Sequence, residues 1–410
     1  MAVKQKKHVS SEMKIIHLVD YFQPKLGYQE YYLARKHHEW GHEVLVVTSD
    51  RFFPFAGYRQ TVEPVLGKRF VGVGEFTEDG LRVRRLPVVF ELNTRVWLSG
   101  VKNVFRDFRP DLVICHSFPT MASYQASKYK SLFGYVLVHD SHLSSHNFFP
   151  YGLKRRIFYK TFNAFVRPFI EGKADKFVAV SEGVRDVLVT FFGVSEEKIE
   201  VIPLGVDTQL FIFDEAKRKI IRAKFNLGED EVLIVFSGKV NLKKLRPNKR
   251  VHDLLEAARL LIQENPKIKV LVLGSGEGDS LSSLKSFVQK KGFSGNVIFH
   301  DFVPRQELPG FYSAADVGVW PGAHSNTIEE AISTSLPVVL PFTPSTTHLI
   351  RDNGLFFKEG DVSQLRECIK KLVGDRRLRE KMSRNARLFA EKTLSYDVIA
   401  RQFIRLYESA

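Results

Sequence analysis

The chain has 410 residues, 44% hydrophobic and 26% charged, which is an ordinary globular composition, long enough for two or three domains that each bury a full core. A formal net charge of +15 calls for an anionic partner, either a phosphate-rich substrate or an anionic membrane face; no RNP, helix-turn-helix or zinc pattern accompanies the charge, so nucleic acid is set aside. The only cysteines, Cys115 and Cys368, are far apart and read as free thiols, which excludes a disulfide scaffold and a Cys-based metal site, and no stretch approaches the ~18 uncharged apolar residues of a membrane span.

The chain opens on a polar, basic run, Met1 to Glu12, with no apolar segment, so a cytoplasmic protein is expected. Short β-branched runs then alternate with helical patterns. Strands are predicted at Ile15 to Val19, Glu43 to Thr48, Asp111 to Cys115, Tyr135 to His139, Phe177 to Val180 and Glu200 to Pro203, with a helix from Gln29 to Trp40. Residues 205–229 turn polar, and the pattern restarts. Strands follow at Val232 to Phe236, Lys269 to Leu273, Val297 to Phe299, Val317 to Val319 and Pro337 to Leu340, with an amphipathic helix at Val251 to Ile262. Continuous apolar strands separated by helices predict parallel sheets covered on both faces. The reading is α/β, two Rossmann-like doubly wound domains facing across a cleft, 13–205 and 206–392. A final helix within 393–410 is expected to pack back on the first domain.

Ligands of open parallel sheets sit beyond the carboxyl ends of the strands, so the residues there are the site candidates. Gly27 lies in a loop (Pro24 to Tyr28) between the first strand and its helix, where a backbone N–H can approach phosphate. His116 follows one strand. His139, with Asp140, Ser141 and His142, ends the next; His139 could orient a hydroxyl, move a proton or bond a sugar, or be a structural histidine. Zinc on His139, His142 and His146 is disfavoured, because their spacing needs a helix and the segment reads as a loop. In the second half Ser237-Gly238-Lys239 ends a strand. The basic stretch Asn241 to Asn248 and then Lys249 precede the next helix, an arrangement that suits an anion between cations. Gly274 to Gly278 is a glycine-rich strand end. Ser325, Asn326 and Thr327 are N-cap types whose neighbouring N–H groups suit a phosphate, and Glu330 is placed to accept hydrogen bonds from a ribose. Tyr151 to Lys173 mixes Lys and Arg with Phe, Tyr and Ile, as a helix lying on an anionic bilayer would.

Taken together the segments resemble the retaining glycosyltransferases of family four, which have the GT-B fold. The resemblance runs from Lys14 to Tyr407 and is carried by Pro24 to Glu30 (PKLGYQE), Gly41 to Val44 (GHEV), Val180-Ser181-Glu182, Val201 to Phe211 (VIPLGVDTQLF), Ser237-Gly238-Lys239 with Lys249 to Ala257, and Glu330-Ala331 through Pro337-Val338. It implies hexosyl transfer from a nucleoside-diphosphate sugar to a hydroxyl of a glycan or lipid-linked acceptor, with no cofactor and no metal. It implies His139 as the acceptor-side histidine, Lys239 and Lys249 on the donor diphosphate, Gly27 facing the same group, and Glu330 on the ribose. Four positions depart from the family's pattern: Gly322 where the first Glu of the E-x7-E motif stands, Tyr28 for the second Gly of the first loop, Ser335 for the Gly before Pro337-Val338, and Leu204-Gly205 for Asn-Gly. Gly322 motivates the alternative of a sugar-nucleotide binder with little or no turnover.

Overall fold

The computed structural model describes residues 12–55, 57–92, 94–143, 153–240, 249–274, 276 and 279–410. The basic stretch 241–248, Ser275, Glu277, Gly278, His146 and the first two residues of the 151–173 segment lie outside them.

Sixteen strands are described: β1 (Lys14–Leu18), β2 (Glu43–Ser49), β3 (Gly74–Glu78), β4 (Leu81–Leu86), β5 (Val88–Leu92), β6 (Arg95–Leu98), β7 (Leu112–Cys115), β8 (Val136–Ser141), β9 (Lys176–Ala179), β10 (Ile199–Val201), β11 (Val232–Ser237), β12 (Ile268–Leu273), β13 (Val297–His300), β14 (Val317–Val319), β15 (Val338–Pro341) and β16 (Gly354–Phe357). The helices that matter below are α1 (Gln29–Glu39), α2 (Leu153–Thr161), α3 (Arg167–Lys173), α4 (Val251–Glu264), α5 (Thr327–Ser333) and α6 (Tyr396–Glu408).

One sheet runs β10-β9-β8-β7-β1-β2-β4-β3 and the other β13-β12-β11-β14-β15-β16. Every neighbour pair is parallel except β3 with β4. Sequence periodicity did not mark that hairpin. Its signal is Asp79-Gly80, two residues with φ +50° and +80°, the left-handed pair that a two-residue hairpin needs. The β5–β6 hairpin and β16 were missed as well. Strand order reverses between β7 and β1 in the first sheet and between β11 and β14 in the second. These switch points open the crevices where such sheets bind ligands.

Alternation along β1 assigns its two faces. Ile15 and Val19 join one buried cluster with Val138 of β8 and with Tyr396, Ile399 and Phe403 of α6. Ile16 and Leu18 join the opposite cluster with Leu137. The C-terminal helix therefore packs on the first sheet, against α1. Two chain passages link the halves side by side: Val206 pairs with Ser395, and the Val206 N–H donates to the Leu394 carbonyl at 2.8 Å. Gly205 is required at this crossing, since a Cβ there would stand 2.3 Å from the Tyr396 ring.

Candidate active site

The carboxyl edges of the two sheets border a cavity of about 980 Å³ whose wall includes Asp20, Glu30, Arg95 and His142 from the first half and Asn326 from the second.

On the second-half side, backbone dominates. Gly238 (φ +142°) and Gly274 (φ +134°) follow β11 and β12, and a Cβ on Gly274 would lie 2.2 Å from the Gly238 carbonyl oxygen, so the strand ends touch only because Gly274 carries no side chain. Lys239 follows at the surface. The loop after β14 is held from both sides. Trp320 Nε1 donates to the Ser237 carbonyl at 2.8 Å, and Thr327 Oγ1 lies 3.1 Å from that carbonyl and 3.0 Å from Ser325 Oγ. Lys249 Nζ, just before α4, donates to the carbonyls of Ala323 at 2.9 Å and His324 at 2.5 Å. Burial pushes its ammonium down to about 8, with Glu329 opposing. This corrects the expected role of Lys249: its charge is turned into the loop that presents α5, because two carbonyls there would otherwise be buried without donors. Asn326 caps α5 with no side-chain bond and faces the cavity. Gly322 is buried in the same loop.

Glu330 is also engaged. Its Oε1 accepts from Arg305 Nε at 2.8 Å; burial pushes the carboxyl up to about 7 and Arg305 counters. Arg305 Nη1 donates to Tyr32 OH of α1 at 2.6 Å, and Tyr32 stacks on Tyr396 with centroids 4.2 Å apart. Gly27 (φ +66°) lies against the same guanidinium: a Cβ would stand 2.7 Å from Arg305 Nη1. Gly27 therefore packs against Arg305, and its N–H, expected to face the diphosphate, donates to the Pro24 carbonyl at 3.0 Å.

In the first half, β8 runs two residues beyond its expected end, to Ser141, and this displaces the histidine assignment. His139 is fully buried, its ring against Phe118 and Phe177 and its Nε2 3.4 Å from Ser127 Oγ. Burial holds it down at about 3. A neutral ring inside the core cannot meet a substrate, so His139 is corrected to a structural residue. His142, at the parity of Asp140, reaches the cavity; its Nε2 is 3.6 Å from Asp140 Oδ1. Asp140 Oδ1 accepts from the Ser117 N–H at 2.7 Å, and Oδ2 lies 2.6 Å from His116 Nδ1. Asp20 follows β1 at the switch point, and its Oδ1 has no hydrogen-bond partner among the described residues. Burial raises Asp20 to about 7 against the pull of the Val96 N–H and Arg95. Arg95 donates to Tyr159 OH at 3.0 Å. Asp20, Glu30, Arg95 and Arg305 were not given a role from the sequence, and Asp140 was named there only as a neighbour of His139. Asp20 was open to the same strand-end rule that raised His116 and His139. Among the described residues no cluster of His, Cys, Asp or Glu could hold a metal ion.

Two doubly wound sheets with opposed switch-point crevices define a GT-B-type molecule. Residues 29–210 match the family described as Glycosyltransferase Family 4, and residues 217–389 match Glycosyl transferases group 1. The chain belongs to the family four glycosyltransferases. Among curated proteins it is 26% identical over 246 residues to a D-inositol 3-phosphate glycosyltransferase of Xylanimonas cellulosilytica, 58% of this chain and 57% of that one. It is 27% identical over 248 residues to the mannosylfructose-phosphate synthase of Agrobacterium fabrum, 57% of this chain and 53% of that one. The chain thus spans less than two thirds of the length of these relatives. Among solved structures, Anabaena HepE in complex with UDP superposes with a TM-score of 0.71 at 18% identity, covering 97% of this chain and 100% of HepE. The sucrose-phosphate synthase of Thermosynechococcus elongatus gives 0.68 at 16%, covering 97% and 98%.

Proposed function

We propose that the protein transfers a hexose from a nucleoside-diphosphate sugar to a hydroxyl of a glycan or lipid-linked acceptor, with retention at the anomeric carbon and without a metal. The observation that carries this reading is the cavity itself, where Asn326, at the start of α5, faces Asp20, Glu30 and His142 of the first half. On the donor side, glycines 238 and 274 and the loop before α5 leave room for a diphosphate beside N–H groups. Lys249 acts beneath, fixing the loop and placing positive charge under it, and Lys239 stands at the rim. These fixed groups stabilise the charge that develops on the departing diphosphate. Glu330 becomes a ribose ligand once Arg305 yields it. On the acceptor side, Asp20 and His142 are the groups that can receive or hold a hydroxyl proton. HepE was crystallised with UDP and with UDP-glucose, which supports a uridine nucleotide as the first donor to try.

The acceptor wall is apolar, with Phe53, Phe55, Leu92, Met121, Leu143 and Phe158. Next to it, α2, α3 and the helical turn Phe162–Val166 between them bury Tyr159 and Ile170 but expose Leu153 (73%), Ile157 (57%) and Phe165 (77%), with Arg156 and Lys160 also exposed. Apolar and basic groups on one outer face support docking on an anionic membrane and an acceptor carried by a lipid. No helix among the described residues is long and apolar enough to cross a membrane.

The direct test is turnover with UDP-, GDP-, ADP- and CMP-sugars, with and without EDTA. Transfer or slow hydrolysis of one donor that survives the chelator is expected. Binding of a donor with no turnover on any acceptor or water would instead favour the binding-protein alternative that Gly322 motivates. Flotation with anionic vesicles at low salt should carry the protein to the top of the gradient; its absence there removes the membrane partner.

A further inference from the structure

Behind the cavity lies a row of buried side chains that the proposed chemistry does not use. His37 Nε2 is 3.2 Å from the Ala400 carbonyl oxygen of α6. His37 Nδ1 is 3.1 Å from His17 Nε2, and His17 Nδ1 is 3.0 Å from His116 Nε2. His116 Nδ1 is 2.6 Å from Asp140 Oδ2. His17, His37 and Asp140 are fully buried and His116 is 2% exposed. The row runs from the C-terminal helix, through α1 and the ends of β1 and β7, to the residue beside His142.

Each contact in the row requires one proton between its two heavy atoms. A carbonyl oxygen can only accept, and so can a carboxylate. The Ala400 carbonyl fixes the proton of His37 on Nε2, which leaves Nδ1 to accept from His17 Nε2. His17 Nδ1 must then accept from His116 Nε2. The last contact, His116 Nδ1 to Asp140, needs a further proton, because both ends of the row are acceptors. Four contacts take four protons, and three neutral imidazoles supply three.

We propose that the His37–His17–His116 row holds one proton beyond three neutral rings, seated between His116 and Asp140, and that the resulting ion pair fixes Asp140 as the positioning residue for His142. The proton count stands whatever the protein's substrates are; only the consequence for His142 rests on the transferase reading above. Burial, and then the neighbouring rings, hold His17 well below the ordinary histidine value, and burial holds His37 down at about 3, so the extra proton stays at the Asp140 end. Burial alone would raise the Asp140 carboxyl, but His116 and His142 outweigh it and keep it below the usual range. For His142, burial lowers the ring, while Asp140 and Glu30 outweigh that and raise it. The other titratable groups facing the row are Glu30 of α1, His42 beyond His37 at 6.4 Å between ring centroids, and the Cys115 thiol, which burial keeps protonated.

Asp140→Asn distinguishes this arrangement from a merely structural one. An amide can donate to His116 Nδ1 while its oxygen still accepts from the Ser117 N–H, so four protons then serve the row with all three rings neutral. Ring-nitrogen NMR of the [15N]histidine-labelled full chain at pH 7 should show one row histidine with both nitrogens protonated and two neutral Nε2–H tautomers. In D140N all three should be neutral Nε2–H rings, and the His142 titration midpoint should fall relative to the native protein. Three neutral rings in the native chain, an imidazolium that survives in D140N, or a His142 midpoint that does not move would each overturn the proposal. If D140N does not fold, the native spectrum still decides the proton count, and a native His142 midpoint below the ordinary histidine value overturns the positioning role. The expected NMR pattern in a protein that turns over none of the tested nucleotide sugars would count against the transferase reading alone.

Discussion

At the carboxyl edge of the second sheet the groups are small or are backbone: Gly238, Gly274, Gly322 and the loop that Lys249 and Trp320 pin from behind, which brings Asn326 to the cavity. At the matching edge of the first sheet they are titratable: Asp20, Glu30 and His142 line the cavity, with His116 and Asp140 buried behind them. The two edges have the same topology and opposite content. A donor diphosphate brings its own charge and needs fixed N–H groups and close approach. An acceptor hydroxyl must lose a proton, and that needs groups whose protonation can change.

The sharpest break in this comparison is a pair of histidine substitutions only three positions apart in sequence. His142→Ala should lower kcat about 10²–10⁴-fold, the range for removing a group that handles a proton. His139→Ala should leave kcat within a few-fold and instead cost about 2–5 kcal/mol of stability, as large-to-small changes in a packed core do. Turnover and thermal unfolding measured side by side decide it; the larger kcat loss falling on His139 would reverse the assignment made here.

On the other edge, Lys249→Ala should lower turnover about 10²-fold. It should also destabilise the second half by about 1–3 kcal/mol, because the Ala323 and His324 carbonyls lose a buried donor. A variant that loses activity but unfolds at the native temperature would show that the ammonium serves the diphosphate directly and the loop not at all.

Much of this contrast was legible in the sequence because the strand-end rule is positional. It pointed to Gly238, Lys239 and Ser325 to Thr327, which do follow the ends of β11 and β14, and to Glu330 in the helix that comes next. It faltered on β8 because Val136 to Ser141 contains no turn residue, and the polar Asp140 and Ser141 read as loop although both are buried within the strand. The candidate moves three positions, from His139 to His142, and an odd step changes face, since a strand's faces alternate with a period of two. The histidine row was not legible at all. His17, His37 and His116 are 20 to 99 positions apart, and the carbonyl that orients them belongs to a helix that returns from the far end of the chain. Arg305 was likewise invisible, because its partners Tyr32 and Glu330 lie on different domains.

Acid should separate the two halves. Burial depresses His37 and His139 to about 3 and His17 well below 6.5 in the first half, while the second half has His348 at about 4. Groups whose folded value is depressed contribute stability that is complete above the unfolded value of 6.5 and is lost as pH falls toward the folded value. Asp20 and Glu330, raised to about 7, carry the opposite sign, their contribution being present at low pH and lost as pH rises through 7; with one in each half they do not disturb the comparison. Hydrogen exchange followed from pH 7 to pH 4 should therefore show β1, β7 and β8 losing protection before β11, β12 and β14. The reverse order would mean that the buried imidazoles do not govern acid stability.

The smallest effect expected is at the bond that joins the halves. Tyr32→Phe keeps the stack on Tyr396 and removes only the hydroxyl that accepts from Arg305 Nη1. A hydrogen bond to a charged group is worth about 1.5–3 kcal/mol, and less where the freed guanidinium can turn to water. Arg305 would then keep the Phe211 ring beneath it and Glu330 as its hydrogen-bond partner, so the phenylalanine variant should tighten the Arg305–Glu330 pair and make Glu330 harder for a ribose to claim. The donor KM should rise a few-fold with kcat unchanged, the signature of lost binding that ground state and transition state share. If KM falls instead, Tyr32 holds Arg305 where it obstructs the donor, and the contact between the halves is a brake on binding rather than a support for it.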